Sequence, residues 1–233
     1  MLDVHPPHHP THTWKDFFIH IATITVGLLI AIGLEQTVEF FHHRHQAHET
    51  VEALRRESLE NREIAQTDIE GLRLMIENTR LNREGLRNAP VAQGEITYQW
   101  QDATGGGWFP FADAAWLTAH DSATFSLLPP EVVRNRWRVE YTIQQANTQG
   151  ADLFHILFQV RSDIHQHGDG VHLSTAERDH LVDELTTLDA AERHVFSTTT
   201  YFIASNEIYL QGKDIDPDNL RQSRKSEAKP PAY

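Results

Sequence analysis

The sequence predicts an all-α protein made of a single N-terminal transmembrane helix, a long stalk helix and an up-down helical bundle. Three observations carry this reading. No charged residue lies between Asp16 and Glu35, and 15 of the 18 residues from 17 to 34 are apolar or glycine. Apolar residues then recur at spacings of three and four through long stretches bounded by prolines and a helix-capping pattern. No segment alternates at period two for long, so no sheet is expected.

The first 13 residues form a His/Pro-rich arm, and 14–41 is read as the transmembrane helix. At about 1.5 Å per residue the 18-residue run covers roughly 27 Å, close to a hydrocarbon core of about 30 Å, and the residues up to Phe41 extend it. Eleven of the 18 are Phe, Ile, Leu or Val. At about −0.3 to −0.6 kcal/mol each, they favour insertion by roughly −3 to −7 kcal/mol with no central charge to offset them. A cleavable signal peptide cut after Ala31-Ile32-Gly33 is the competing reading. The arm sets only Lys15 against Asp3 and Asp16, whereas a signal's first region is clearly basic, so an uncleaved anchor is expected. Lys15 on one side and Arg44 on the other nearly balance; the short arm and long remainder are the proportions of a signal anchor with its bulk exported.

Residues 42–89 contain no proline and read as a juxtamembrane helix whose face carries Ala65, Ile69, Leu72 and Ile76. Pro90 ends it. Residues 90–212 are read as the bundle domain, completed by the 42–89 helix: a loop over 90–110, a short helix with Trp116, and a second long helix opened by Pro129-Pro130. That helix is expected to bury Val133, Trp137 and Tyr141, then Leu153, Leu157, Val160 and Ile164, with Gly150 bending it midway. Two glycines break the pattern in HQHGDGVH. Ser174 and Glu177 form a capping box opening the last long helix, with Leu181, Leu185, Leu188, Val195, Phe202 and Tyr209 in register. Residues 213–233 read as a polar, flexible tail.

Composition removes several function classes. With no cysteine, disulfides, thiolate metal sites and cysteine nucleophiles are excluded. A net charge of −13, and −10 for residues 42–233 alone, argues against nucleic acid as a partner. Sixteen histidines are the main anomaly, with His5, His8, His9 and His12 in the arm and His42, His43, His45 and His48 after the span. Such tracts can bind metals, but histidine also sits comfortably beside headgroups, and a spanning anchor separates the two clusters. Asp163, His165, His167, Asp169 and His172 match no defined ligand spacing and read as a solvated turn. A di-metal bundle centre finds Glu177-x-x-His180 and an imitation in Asp152-x-x-His155, yet His155 is expected to point away from the core. His120-Asp121-Ser122 holds triad residue types, but neighbours on a helix diverge. Gly105-Gly106-Gly107 lacks the lysine of a phosphate loop, and Asp214, Asp216 and Asp218 lack the glycine and glutamate of a calcium loop. No enzyme signature remains, and neither a cofactor nor a metal is expected.

Within the span, Thr23, Gly27 and Ala31 recur every fourth residue and would form a small-residue face for helix pairing and a homo-oligomer. The stretch 14–39, WKDFFIHIATITVGLLIAIGLEQTVE, resembles the opening of uncharacterised bacterial single-pass inner-membrane proteins, and 113–129 resembles a tryptophan-containing segment of such proteins. The resemblance implies a bacterial inner-membrane anchor and a helical extracytoplasmic region, and brings no activity or functional residue. The expected role is interaction, as scaffold, sensor or accessory subunit, with the lipid bilayer and an envelope protein as partners. The alternative is histidine-based metal binding.

Overall fold

The computed structural model describes residues 14–101, 107–167 and 171–227. The arm with its four histidines, Gly105, Gly106, Asp169 and residues 228–233 lie outside the described residues. Five α-helices are described, α1 (Trp14–Asn88), α2 (Ala114–His120), α3 (Pro130–His167), α4 (Thr175–Leu210) and α5 (Pro217–Glu227), with a 3-10 turn at Ala123–Leu127. Three short strands accompany them, β1 (Val91–Ala92), β2 (Glu95–Tyr98) and β3 (Val171–Ser174). The protein is all-α apart from this small sheet. The chain divides into two units, Met1–His48 and Glu49–Tyr233.

In the first unit the apolar residues of α1 from Trp14 to Phe41 are exposed, and this is the helix long and apolar enough to cross a membrane. No break separates 41 from 42, because the sequence from Glu35 to Glu70 contains neither proline nor glycine.

In the second unit, α1 and α4 run antiparallel, as the pairings Arg62–Glu207, Thr79–Glu192 and Arg83–Asp189 show. Helices α3 and α4 are also antiparallel, joined by the short 168–174 connection and tied by Thr198 donating to Gln149 at 2.6 Å. One core cluster centres on Leu72, Ile76, Leu153, Val160, Leu181, Leu185 and Leu188, and a second on Ala65, Phe111, Val139, Ile143 and Phe202. Phe111 and Phe202 stack with centroids 4.3 Å apart. The capping box forms as the sequence predicts: Ser174 accepts from the Glu177 N–H, and the Glu177 carboxylate accepts from the Ser174 N–H at 2.8 Å.

Three sequence expectations are corrected. The 90–110 loop contains a β-hairpin, with Val91 opposite Ile96 and Ala92 opposite Glu95; β2 then pairs antiparallel with β3, and Ile96 and Leu173 are fully buried. Its two-residue turn, Gln93-Gly94, has positive φ at both positions (55° and 85°), the type I′ geometry that glycine favours. The N-terminal half of α3 buries Asn135, Arg136, Val139, Glu140 and Ile143, while Trp137 and Tyr141 are more than half exposed. Gly150 has a packing role: the Trp108 indole lies where its Cβ would be, so a side chain there would displace the ring. This contact offsets the roughly 1 kcal/mol that glycine costs relative to alanine inside a helix.

Residues from 213 on are also not uniformly a tail. Ile215 is buried in the second cluster, and Asp216 caps α5 by accepting from the N–H groups of Asp218 and Asn219, with Pro217 at the first helical position.

Gln101, Phe111 and Ala112 are held by three asparagines, each of which grips both backbone groups of one residue. Asn61 donates to the Ala112 carbonyl (2.7 Å) and accepts its N–H (2.8 Å). Asn82 does the same with Gln101, and Asn147 with Phe111, at 2.9–3.0 Å. The side-chain amide thus imitates a strand neighbour.

Candidate functional site

Three helices and the segment after β2 enclose a cavity of about 360 Å³, at the lower end of ordinary small-molecule pockets. Helix α1 contributes Met75, Asn78, Thr79 and Asn82, one face of little more than two turns. Helix α3 supplies Leu157, Val160 and Ile164 as an apolar wall, with Arg161 and His165 exposed beside it. Helix α4 adds Leu185, Leu188 and Glu192, and the fourth side is Trp100 and Gln101. Asn82 positions that side through its grip on Gln101 and by accepting the Tyr98 hydroxyl at 3.0 Å. Tyr98 in turn sits edge-on to Trp100.

Glu192 is the chemically unusual lining residue. It is 1 % exposed, its Oε1 accepts from the Thr79 hydroxyl at 2.8 Å, and its Oε2 has no hydrogen-bond partner among the described residues. Burial pushes its carboxyl up to about 8; the Thr79 bond opposes this, Asp189 adds to it, and Arg193 and Arg83 pull the other way. Those two arginines are held by Asp189, at 3.0 and 2.9 Å. The Trp100 indole N–H is likewise buried with no partner among the described residues. Two polar atoms of lining residues, Glu192 Oε2 and the Trp100 indole N–H, are thus shut away from water without a partner among the described residues, and buried polar groups left this way each cost about 1–3 kcal/mol.

A second polar cluster lies inside the bundle. Arg136, fully buried, donates to Glu57 at 2.5 Å and pairs with Glu140 at 3.5 Å. Burial raises both carboxyls, Glu140 to about 7, against the arginine's pull. The other Glu57 oxygen accepts the Ala115 N–H at 2.6 Å, so this cluster also fixes the start of α2. Arg136 Nε and Glu140 Oε2 have no hydrogen-bond partner among the described residues, while the contacts the cluster does make tie α1, α2 and α3 together.

The third cluster brings together Asp163 of α3 with His180 and Glu184 of α4, whose ligand-type atoms lie within 4.8 Å of one another. The Glu184 carboxyl is raised by burial first and then by the Asp163 carboxyl beside it, with His180 opposing.

The residues singled out from the sequence are distributed otherwise. Thr23, Gly27 and Ala31 are exposed on α1; Thr23 donates to the Ile19 carbonyl at 2.8 Å, and nothing within 4 Å would meet a Cβ at Gly27. Farther along α1, His43 faces Glu39 at 3.8 Å and His42 contacts Gln46 at 3.0 Å. His167 lies by Glu177 and His172 by Glu95, each at 3.6 Å, while His165 lines the cavity, so these three histidines do not converge. Of the Glu177-x-x-His180 pair, Glu177 is spent on the cap. His155 is exposed, as expected. Ser122 turns to the Ala119 carbonyl and Thr124, leaving His120 and Asp121 as an exposed pair. Asp214 pairs with Arg134 at 2.8 Å.

Sequence reasoning missed Glu184, Glu192 and Trp100. A signal existed for two of them. Glu184 stands four residues after His180, on the same helix face, and Glu192 falls in register between Leu188 and Val195, a carboxyl at a core position. Nothing local marks Trp100. No known protein family, curated protein or solved structure matches the chain.

Proposed function

We propose that this protein is a membrane-anchored helical interaction protein, a scaffold, sensor or accessory subunit of the bacterial envelope, with Glu49–Tyr233 outside the inner membrane. One observation carries the reading. The uncharged segment of α1 has none of its residues buried, while the second unit buries two apolar clusters. An exposed apolar surface of that extent needs a bilayer or another helix to cover it. The small-residue face of Thr23, Gly27 and Ala31 supports pairing of two copies there. Among the described residues, the hydroxyls of Ser174 and Thr79 that meet a carboxylate, Glu177 and Glu192, belong to a helix cap and a buried contact between α1 and α4.

Alkaline carbonate extraction of native membranes, with sequencing of the mature N-terminus, tests the anchor. The full-length chain should stay in the pellet; release, or a mature terminus at Leu34, would refute it. A C-terminal phosphatase fusion should be active, and activity of a cytoplasmic reporter instead would reverse the orientation.

A second reading, divalent-cation binding, is favoured by the Asp163–His180–Glu184 cluster, in which two carboxyl groups and an imidazole from two helices converge. Elemental analysis of protein purified without an affinity tag should then find one zinc, iron or copper per chain, reduced by His180→Ala. A metal-free protein that also fails to take up zinc would remove this reading.

A further inference from the structure

The buried carboxyl groups of Glu57, Glu140 and Asp189 each have an arginine against them. Asp163 and Glu184 differ. Their ligand-type atoms lie within 4.8 Å of each other and the Glu184 side chain is only 11 % exposed, yet neither pairs with an arginine or lysine among the described residues. What stands with them is the His180 imidazole, its Nε2 3.7 Å from Glu184 Oε1. Two carboxylates and a neutral imidazole form a donor set whose charge a divalent cation balances.

The spacing suits a tetrahedral ion. Ligand atoms bonded to zinc at about 2.0–2.2 Å lie about 3.3–3.6 Å from one another. His180 and Glu184, one turn apart on α4, are close to that separation, and side-chain rotation of about 1 Å would bring Asp163 of α3 to it as well. The surroundings already hold these side chains in place. The capping box at Ser174 and Glu177 fixes the start of α4, and the Gln166 amide donates to Asp163 Oδ1 at 3.4 Å, the kind of outer contact that orients a metal ligand.

The donor set is also open. Closed structural zinc sites use four protein ligands, whereas three ligands and a water make a site that an outside molecule can enter. Three donors converge here, and the His180 side chain is 68 % exposed, which puts the remaining position on the solvent side. Resting on the divalent-cation reading, we propose that Asp163, His180 and Glu184 hold one zinc ion with an exchangeable water as its fourth ligand, and that a small anion from solution binds by displacing this water.

Titration of the full-length chain in detergent micelles with cobalt(II), followed by visible absorption, tests this, because four-coordinate cobalt absorbs far more strongly there than six-coordinate cobalt. Strong bands should develop at one site per chain, zinc should abolish them, and azide should shift them as it replaces the water. His180→Ala and Asp163→Asn should each weaken cobalt by more than about tenfold, since losing a ligand costs at least as much as losing an outer contact. His45→Ala, in the histidine tract of the first unit, should leave the bands unchanged, and far-ultraviolet circular dichroism reports that each variant is folded. Bands that azide does not move would overturn the open position; faint bands, or equal cobalt affinity in folded His180→Ala, would overturn the three-ligand site. Zinc uptake measured by calorimetry would in those cases preserve the broader cation reading, and failure to take up either metal would remove both.

Discussion

Replacing Arg136 by alanine should destabilise the bundle by about 3–5 kcal/mol, because the change leaves buried carboxyls without the charge that compensates them. Arg136 is fully buried and lies between Glu57 and Glu140, neither of which reaches solvent to any extent. With the guanidinium gone, both acids must bind protons or admit water, and the space left by a large side chain adds a cavity cost. A loss of this size is a large fraction of the 5–15 kcal/mol that holds an ordinary domain together. Urea unfolding at pH 7, followed at 222 nm, reads it directly. The combined variant Glu57→Gln, Arg136→Met, Glu140→Gln should recover most of the loss, since it removes the charges together. A single Arg136→Ala variant within 1 kcal/mol of wild type would show that the cluster is hydrated.

Stability should also fall as pH rises from about 5 to 8.5. Glu192 has a folded value of about 8 and Asp68 of about 7, both raised mainly by burial. Glu140 also stands at about 7. Each lies above its unfolded value of about 4, so between the two values the folded chain holds the proton that the unfolded chain has released. These contributions are fully present below about pH 4 and are lost as pH climbs through the folded values. For Glu192 alone the shift corresponds to about 5 kcal/mol at the upper limit. Melting curves should show a Tm clearly higher at pH 5.5 than at 8.5, and Glu192→Gln should flatten the dependence. Exposed carboxyls held low, such as Glu77 by Arg80, act in the opposite sense and at lower pH. A Tm independent of pH across this range would contradict the buried, protonated state of these acids.

The three long helices were legible because each has a chemical boundary: Pro90 after α1, Pro129-Pro130 before α3, and the Ser174/Glu177 box before α4. The hairpin was not, because strands of two and four residues are too short for alternation to register, and Gln93-Gly94 is a weaker turn signal than Asn-Gly. Helix α5 hides for a related reason. It carries one apolar anchor of its own, Leu220, and its visible clue was the Asp216-Pro217 cap. The face of α3 was misread where polarity and burial part company, since Arg136 and Glu140 occupy core positions while Trp137 and Tyr141 border a groove beside Ile215 and Leu220. The same inversion concealed Glu192. Hydrophobic periodicity finds the core by its apolar members, and this core keeps its distinctive chemistry in the polar ones.

The asparagine clamps bear on how this protein can diverge. Asn61, Asn82 and Asn147 read peptide groups, which almost every residue carries alike, so the positions they hold at 101, 111 and 112 are fixed in space without being fixed in chemical identity. Proline alone is barred at those three points, for want of an N–H. The side chains at 101, 111 and 112 can change while the backbone there stays in the same place. In a set of related chains, constancy is therefore expected on the helices at the three asparagines, and variation in the segment they hold.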